Sequence, residues 1–585
     1  MKKACTSETS EEPPPTLDQT SSTWLPENTN CLACSEDGMY LCLGHSRGLS
    51  VWCASSLTRA AEWLQDGLEV NFIQTTRMLE LTYLLGTVDD MGVARLFLHH
   101  SDGIHLLSVI NPMEDINKRR ICLTLDLSEG GHYGAASFSC NGDVWLEVYQ
   151  FPSVAWLEEL RMAATQTQDP NLSETVGITW SSVAVMMKIA PEIPAGITGR
   201  TVRDFLMRYS FVDVVANTST QREKSAFSTD QGKTKRGTHH FLLPSDGFPG
   251  EAGVPAAVAV WWSGSHNLHQ YSLQEAPQKK QGRPFYLFYL FKRKYNNTFL
   301  WTLYSFEAAV DPIPDVSWPN AKEIQCSAVS RCTRYIALGL DDALVCVWDR
   351  LTGAPLSVVP MPAQSSPLST IQFFNPWPVS AQDSQIFAAE ILHLLVLCND
   401  GANYTVTTGR GTKPRTEQLA VRPKDSRELQ TVTTSVPFLQ GVSFAVQRNG
   451  RMFLQDVLNR VNLCFLTLPT SHQMTSPCSP VYVLSTTQQS LFIRGDLGTG
   501  LRSFSQESPQ SQLFVFRLGQ ADMLKQHIVS QPESPQRPKT LSNATPEEIC
   551  DLYLQQRALA VDERNKAIAQ TWEKLRGAAG MQDKE

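Results

Sequence analysis

Short apolar runs alternate with clusters of turn residues along most of the chain. The clearest case is Ile336 to Val358. Ile336 to Gly339 is an apolar run ending in Gly, and Asp341-Asp342 is a turn. Leu344 to Trp348 is a β-rich run closed by Trp348-Asp349, and Leu351-Thr352-Gly353 turns again before Leu356 to Val359. Short apolar runs bounded by Gly, Asp, Asn and Ser read as half-buried strands joined by tight turns. The same sequence of runs recurs from Cys31 to Leu64, where Ser35-Glu36-Asp37-Gly38 is the first turn, Leu43-Gly44 matches Leu338-Gly339, and Val51-Trp52 matches Val347-Trp348. Looser copies run from Thr82 to Ile110, with Leu85-Gly86, and from Gly134 to Leu157, with the hairpin turn Cys140-Asn141-Gly142.

A strand–turn–strand–turn unit repeated in this way predicts an all-β chain of β-propeller blades. Trp348 and Trp52 then take equivalent structural places at the end of a third strand and are expected to pack on the next blade. Asp349 is expected to accept hydrogen bonds from the turn that follows it. Cys53 stands where Asp349 stands, so the first unit lacks the acid.

The blades divide into a first part, residues 29–160, and a second part, residues 254–518. The second part includes the runs Ala256 to Trp262, Phe285 to Phe291, Phe299 to Tyr304, Val442 to Val446 and Gln512 to Leu518. Between the parts, residues 161–253 are rich in Gly, Ser, Thr, Pro and charge and read as a long insertion, partly disordered. Within it Thr179 to Ile189 predicts a strand and Val202 to Tyr209 a short helix. The repeat region without its insertion is roughly 400 residues, enough for eight to ten blades at ~40–45 residues each. That leaves open one large propeller or two smaller ones.

The ends have a different composition. Residues 1–28 are rich in Pro, Ser, Thr and Glu and are expected to be a disordered tail. Residues 519–542 read as a linker, 543–578 as a C-terminal helix and 579–585 as a tail. Thr545-Pro546-Glu547-Glu548 is a capping box with Pro at the first helical position. Ile549, Leu552, Leu559, Ile568, Trp572 and Leu575 share one broad face of a helix about 45 Å long at ~1.5 Å per residue. It can pack back on the propeller or dock in a partner's groove, which makes Ile568, Trp572 and Leu575 candidate partner contacts.

Composition narrows the class. The chain has 585 residues, a net charge of −8 and no dominant basic run, which argues against nucleic acid as partner. Met1 to Trp24 has no apolar core of a secretory signal, and its acidity makes a poor mitochondrial presequence. No apolar run reaches the ~18 residues of a membrane span, so no membrane partner is expected. The 14 cysteines are then expected as reduced thiols in the cytoplasm.

Chemical motifs are sparse, and their contexts fail. Gly44-His45-Ser46-Arg47-Gly48 fits G-x-S-x-G, but a nucleophile elbow needs a helix after it. Here Leu49 to Trp52 is a strand. Gly232-Lys233-Thr234 ends like a phosphate loop, yet Phe227 occupies the place of the first Gly. Cys31 and Cys34 form a CxxC without a second pair, and strand alternation sends them to opposite faces. Lys279, Lys280, Arg283, Lys292, Arg293 and Lys294 flank Phe285 to Phe291, a run apolar enough to be a buried strand with basic ends. No catalytic, cofactor, metal or small-molecule site is expected. A binding scaffold fits better than an enzyme.

The Trp-Asp unit of Leu338 to Leu356 resembles WD-repeat proteins. With CLACSEDGMYLCLGHSRGLSVWCASS, YLLGTVDDMGVARLF and the stretch Ser108 to Tyr149, the chain resembles the WD-repeat proteins of motile cilia and flagella. It departs from the general pattern in lacking the Gly-His dipeptide that opens a repeat and the full hydrogen-bond tetrad of a blade. The resemblance implies an accessory scaffold of the axoneme, part of the cytoskeleton, in a projection of the C1 microtubule of the central apparatus, with central-apparatus proteins as partners. The residues by themselves are also compatible with a cytosolic adaptor of a ubiquitin-ligase or signalling complex. A link to the respiratory electron-transport chain is a third reading, against which stand the acidic N-terminus and the lack of a redox motif.

Overall fold

A computed structural model describes residues 15–528, apart from 102, 113–118, 167–178, 192–236, 245–253, 274–285, 296–297, 308–311, 363–365, 375–390, 410–411, 421–424, 475 and 499–510; for 286–307 it describes the backbone. The helix expected at 543–578, with Ile568, Trp572 and Leu575, lies outside the described residues. So do Val202 to Tyr209 and Gly232-Lys233-Thr234.

The repeated turn chemistry produces eight antiparallel sheets of the same plan. Blade 1 is Cys31–Cys34, Tyr40–His45, Gly48–Cys53 and Thr58–Leu64, and blade 2 is Val70–Leu79, Thr82–Asp89, Ala94–His100 and Gly103–Val109. Blade 3 is Ile121–Leu127, Tyr133–Cys140, Asp143–Gln150 and Ala184–Ile189. Blade 4 is Gly237–Leu242, Ala257–Trp262, Asn267–Ser272 and Val316–Pro319, and blade 5 is Ile324–Val329, Tyr335–Leu340, Leu344–Asp349 and Ala354–Pro360. Blade 6 is Leu368–Phe374, Ile391–Cys398, Asn403–Gly409 and Arg415–Ala420, and blade 7 begins with Gln430–Ser435, Val442–Gln447, Met452–Asp456 and Val461–Thr467. In each the first strand is innermost.

Blade 8 is assembled from both ends of the described chain. Tyr482–Ser485 and His472–Gln473 share one edge of Ser490–Leu497, and Ser511–Arg517 covers the other. The outer strand is Ser21–Trp24, antiparallel to Ser511–Arg517 with Ser21 opposite Val515 and Trp24 opposite Gln512. Just before it, Thr16–Asp18 runs parallel to Val461–Thr467 and adds a fifth strand to blade 7. Within the tail expected to be disordered over 1–28, residues 16–18 and 21–24 are therefore strands, and residues 1–14 lie outside the described residues. A Ser/Thr-rich strand has little local β signal, and the unpaired edge of Ser511–Arg517 supplies what its own sequence does not.

Apolar clusters join each blade to the next around the ring. Leu49 and Val51 of blade 1 meet Tyr83 and Phe97 of blade 2, and Ala337 and Val347 of blade 5 meet Leu394 and Val396 of blade 6. The last interface, Leu41, Leu43 and Trp52 of blade 1 against Phe492, Leu513 and Val515 of blade 8, closes the circle. One eight-bladed ring therefore replaces the alternative of two propellers. Each fully buried Leu or Phe contributes ~1.5–3 kcal/mol, so every interface is a sizeable share of net stability.

The Leu-Gly match has a packing cause. A Cβ on Gly44 would stand 2.5 Å from Cys31 Sγ and 2.6 Å from Val70 Cγ1, and one on Gly339 would stand 2.5 Å from Cys326 Sγ and 3.0 Å from Ile371 Cδ1. A Cβ on Gly86 would be tight but less so, 3.0 Å from Leu125 Cδ2 and 3.3 Å from Leu127 Cδ1. At this level the inner strand of the following blade crosses directly over the second strand, and a side chain has no room.

The insertions depart from expectation in detail. A helix, Ser153–Gln166, follows the third strand of blade 3, with Trp156 and Leu160 buried one turn apart. Trp156 Nε1 donates to the Ser181 carbonyl at 2.8 Å, and the Glu159 carboxylate accepts from Ser181 N and Oγ. Two strands of the region 161–253 belong to blades, Ala184–Ile189 to blade 3 and Gly237–Leu242 to blade 4. Tyr286–Tyr295 and Thr298–Glu307 form a two-stranded hairpin of their own rather than blade strands. The last blade residue, Leu518, and the start of the expected linker, residues 519–527, form short 3-10 turns, with Leu518 and Leu524 buried in the core shared by blades 7 and 8.

Candidate interaction site

The Trp-Asp corner has the chemistry expected of it. Asp349 is 1% exposed, and its Oδ1 accepts from Leu351 N at 3.0 Å and Arg334 Nε at 3.3 Å. Its carboxylate ties the turn after the third strand to the turn before the second. Trp348 is buried, but against Trp261, Leu268 and Trp318 of the preceding blade, and Trp52 likewise packs against blade 8. Both therefore face backwards, not towards the next blade; in blade 5 alternation along the third strand gives that face Val345 and Val347 instead. Trp348 Nε1 donates to Asn320 Oδ1 at 3.1 Å and Trp52 Nε1 to Ser50 Oγ at 3.0 Å.

Two further corners repeat this design without Trp-Asp. Gln455-Asp456 ends the third strand of blade 7, and Asp456 Oδ1 accepts from Leu458 N and Asn459 N, each at 2.9 Å. Cys53 occupies the corner of blade 1. Hydrogen bonds from Ser55 and Ser56 pull its thiol down to about 7, since the turn presents the same donors that an aspartate would use.

Two of the motifs set aside on context lie among the described residues. Ser46 lies in the hairpin turn between Tyr40–His45 and Gly48–Cys53 and donates Oγ–H to the Glu27 carbonyl at 3.0 Å. Burial, reinforced by Arg47 and Arg59, holds His45 at about 4. Cys31 faces blade 2 and Cys34 faces blade 8, on opposite sides of one strand. Among the described residues no three His, Cys, Asp or Glu side chains gather as metal ligands. No helix among them is long and apolar enough to cross a membrane.

What the ring offers instead is its two channel mouths. The lower mouth, formed by turns between first and second strands, opens into a cavity of about 560 Å³. Its lining is polar: Glu36, Gln74, Thr76, Glu129, Arg331 and Thr487 come from five blades. Thr76 Oγ1 donates to Glu36 at 2.9 Å, and Gln74 binds the Leu127 backbone through both ends of its amide. Next to it, burial alone would raise the Asp37 carboxyl. Hydrogen bonds from Tyr83, Ser35 and Met39 N, with Arg77 nearby, outweigh this and hold it below the usual carboxylate range.

The upper mouth has a cavity of about 370 Å³ between blades 2 and 3, lined by Asn71, Phe72, Val88, Leu123, Leu125 and Asp126 among others. Phe72 and Leu123 are each 38% exposed, unusual for large apolar side chains on inner strands. Asp126 Oδ2 lies 2.8 Å from Nε2 of His239, a side chain 1% exposed on the inner strand of blade 4. Burial would raise the Asp126 carboxyl, but His239 and, more weakly, His240 together hold it below the usual range. The strands carrying Phe72 and Asp126 fall between the repeat copies legible in the sequence. Their only signal is the weak alternation of Val70 to Leu79 and Ile121 to Leu127.

With this geometry in view, the chain can be compared with known proteins. A family model described as WD repeat-containing protein 93 matches residues 29–288 and 290–345, more than half of the chain. The chain belongs to this family. The family match covers blades 1 to 4 and the first two strands of blade 5; it includes Trp52 and stops before Trp348. Among solved structures, the β-propeller domain of Myceliophteria thermophila Cps50 (Swd1) is 9% identical over 85% of this chain and 99% of that one, with a TM-score of 0.38. Saccharomyces cerevisiae Sqt1 is 10% identical over 86% and 99%, with a TM-score of 0.45. The Dos1 propeller is 10% identical over 86% and 94%, with a TM-score of 0.42. The fold is a WD-repeat propeller, a scaffold for contacts between proteins.

Proposed function

We propose that this chain is a non-enzymatic scaffold of the central apparatus of motile cilia and sperm flagella, held in the cytoskeleton by contacts with other axonemal proteins. Family membership is the observation that supports this reading, together with the resemblance of Cys31 to Tyr149 to axonemal WD-repeat proteins. The ring supplies rigid mouths and turns for such contacts, and the polar groups of its lower mouth are engaged with one another rather than poised on a reacting atom.

The test is fractionation. Tagged protein in ciliated cells should stay with detergent-extracted axonemes and be lost from axonemes that lack the central pair. Release with the soluble fraction, alongside ubiquitin-ligase or signalling subunits, would replace the axonemal reading by the adaptor one. Release with mitochondria would favour the respiratory link.

A second contact is proposed for the segment after the ring. Ile568, Trp572 and Leu575 would share one face of the helix expected from the sequence, which has its own capping box. Ending the chain after Leu541 should leave the melting temperature nearly unchanged while weakening incorporation into axonemes. Normal incorporation of the shortened chain would remove this contact.

A further inference from the structure

We infer that the upper mouth between blades 2 and 3 is a subsite for a basic side chain, lysine or arginine, carried by an extended segment of a partner protein. The inference rests on the scaffold reading and adds where one partner is held and by what chemistry.

The cavity of about 370 Å³ has the anatomy of such a subsite. Phe72 and Leu123 form apolar walls that a long alkyl stem can cover. Asp126 is the carboxylate at its inner end, with a side chain 45% exposed. His239 Nε2 lies 2.8 Å behind one Asp126 oxygen, a close contact that restricts the carboxylate before any ligand arrives. An apolar slot ending in a positioned carboxylate fits a cationic head on an aliphatic stem and rejects an anion.

The surroundings have the same sign. The Glu69 carboxylate accepts from Asn30 Nδ2 at 2.6 Å, and the same amide reaches Asn71 on the cavity wall at 3.1 Å. Asp90 joins Glu69 through its backbone, N to carbonyl oxygen, at 2.9 Å. The nearby cations are committed elsewhere. Arg95 pairs with the buried Asp89 at 2.6 Å, Arg120 with Glu147 at 3.2 Å, and Arg119 donates to the Met91 carbonyl. Among the described residues, Glu69 and Asp90 thus add negative charge beside Asp126. Met91 and Ile121, each 39% exposed, extend the apolar surface outwards and suit apolar neighbours of the basic residue on the partner.

The test uses the full chain and a fluorescein-labelled, capped pentapeptide, Gly-Leu-Lys-Leu-Gly, followed by anisotropy. Analogues carry norleucine or glutamate in place of lysine. The lysine peptide should bind about tenfold more tightly than the norleucine one, and the glutamate peptide should not bind. Asp126→Asn should remove the preference for lysine, and raising the salt should weaken binding by the lysine peptide alone. Phe72→Ala changes a half-exposed wall and should weaken both the lysine and norleucine peptides several-fold, which keeps the test valid if Asp126→Asn fails to fold. Equal binding of lysine and norleucine, binding of the glutamate peptide, or no binding of the lysine peptide at millimolar concentration would each overturn the subsite. None of these results depends on axonemal location, so the subsite and the axonemal role can fail separately.

Discussion

Blades 5 and 8 have the same four-stranded plan but opposite origins. Blade 5 is one unbroken stretch, Ile324 to Pro360, with each strand paired to its neighbour in sequence. Blade 8 takes three strand positions from His472 to Arg517 and the fourth from Ser21–Trp24. In blade 5 a local code suffices: Gly339 makes room for the next blade, Asp349 fastens its turn and Trp348 fills the previous interface. In blade 8 the outer strand is held by long-range pairing, Thr20 N to Val515 O at 2.8 Å and Leu25 N to Ser511 O at 3.0 Å. A repeat fold can thus be written locally almost everywhere, yet its closure has to be written non-locally at one place.

The largest expected effect comes from attacking the closure. Removing residues 1–25 leaves Ser511–Arg517 and Val461–Thr467 with open edges, and the Trp52 interface without its flank. Scanning calorimetry should show a greater loss of melting temperature than any single substitution in blade 5, or aggregation on heating. A truncated chain that melts with the parent would put the two blades on an equal footing.

Next in size are the interface tryptophans. Trp348→Ala should cost about 3–5 kcal/mol in denaturant unfolding, as a buried aromatic replaced by a cavity. Trp52→Ala should cost as much and also sensitise the chain to proteolysis near its N-terminus, because Trp52 packs on the closing blade. Equal protease patterns for the two variants would blur the distinction.

Gly339→Val tests the local code alone. Its Cβ would meet Cys326 Sγ and Ile371 Cδ1, and overpacking of this kind costs about 1–3 kcal/mol. The closing strand should keep its protease resistance.

Acid should give the smallest effect. Blade 5 has no histidine, whereas His45 of blade 1 and His240 of blade 4 are both held at about 4 by burial. Each binds its proton more weakly when folded than at the ordinary 6.5. Their contribution is complete above pH 6.5 and declines as pH falls towards 4, where the unfolded chain takes up protons first. Hydrogen exchange over that window should loosen Tyr40–His45 and Gly237–Leu242 before Tyr335–Leu340.

The same contrast explains what was legible. Gly44, Trp52, Gly86, Gly339, Trp348 and Asp349 could be read because turns and close approaches impose residue types at fixed spacing. The helix Ser153–Gln166 left a signal in Trp156 and Leu160, four apart, but it lies in a place where the repeat predicts a strand. Ser21–Trp24 left none, since pairing with a distant strand places no demand on a polar tetrapeptide. The upper mouth was hidden for a similar reason. Phe72, Asp126 and His239 sit on three inner strands and acquire meaning only when the ring brings them together.

Hydrogen exchange at residues 20–25 is the most direct measurement of the closure. The ring predicts that the amides of this segment bonded to Ser511–Arg517, Thr20 and Leu25 among them, exchange as slowly as those of Ser511–Arg517, through the same global unfolding. Exchange within seconds at Thr20 and Leu25, with Ser511–Arg517 still protected, would show that the N-terminal strand does not close the ring.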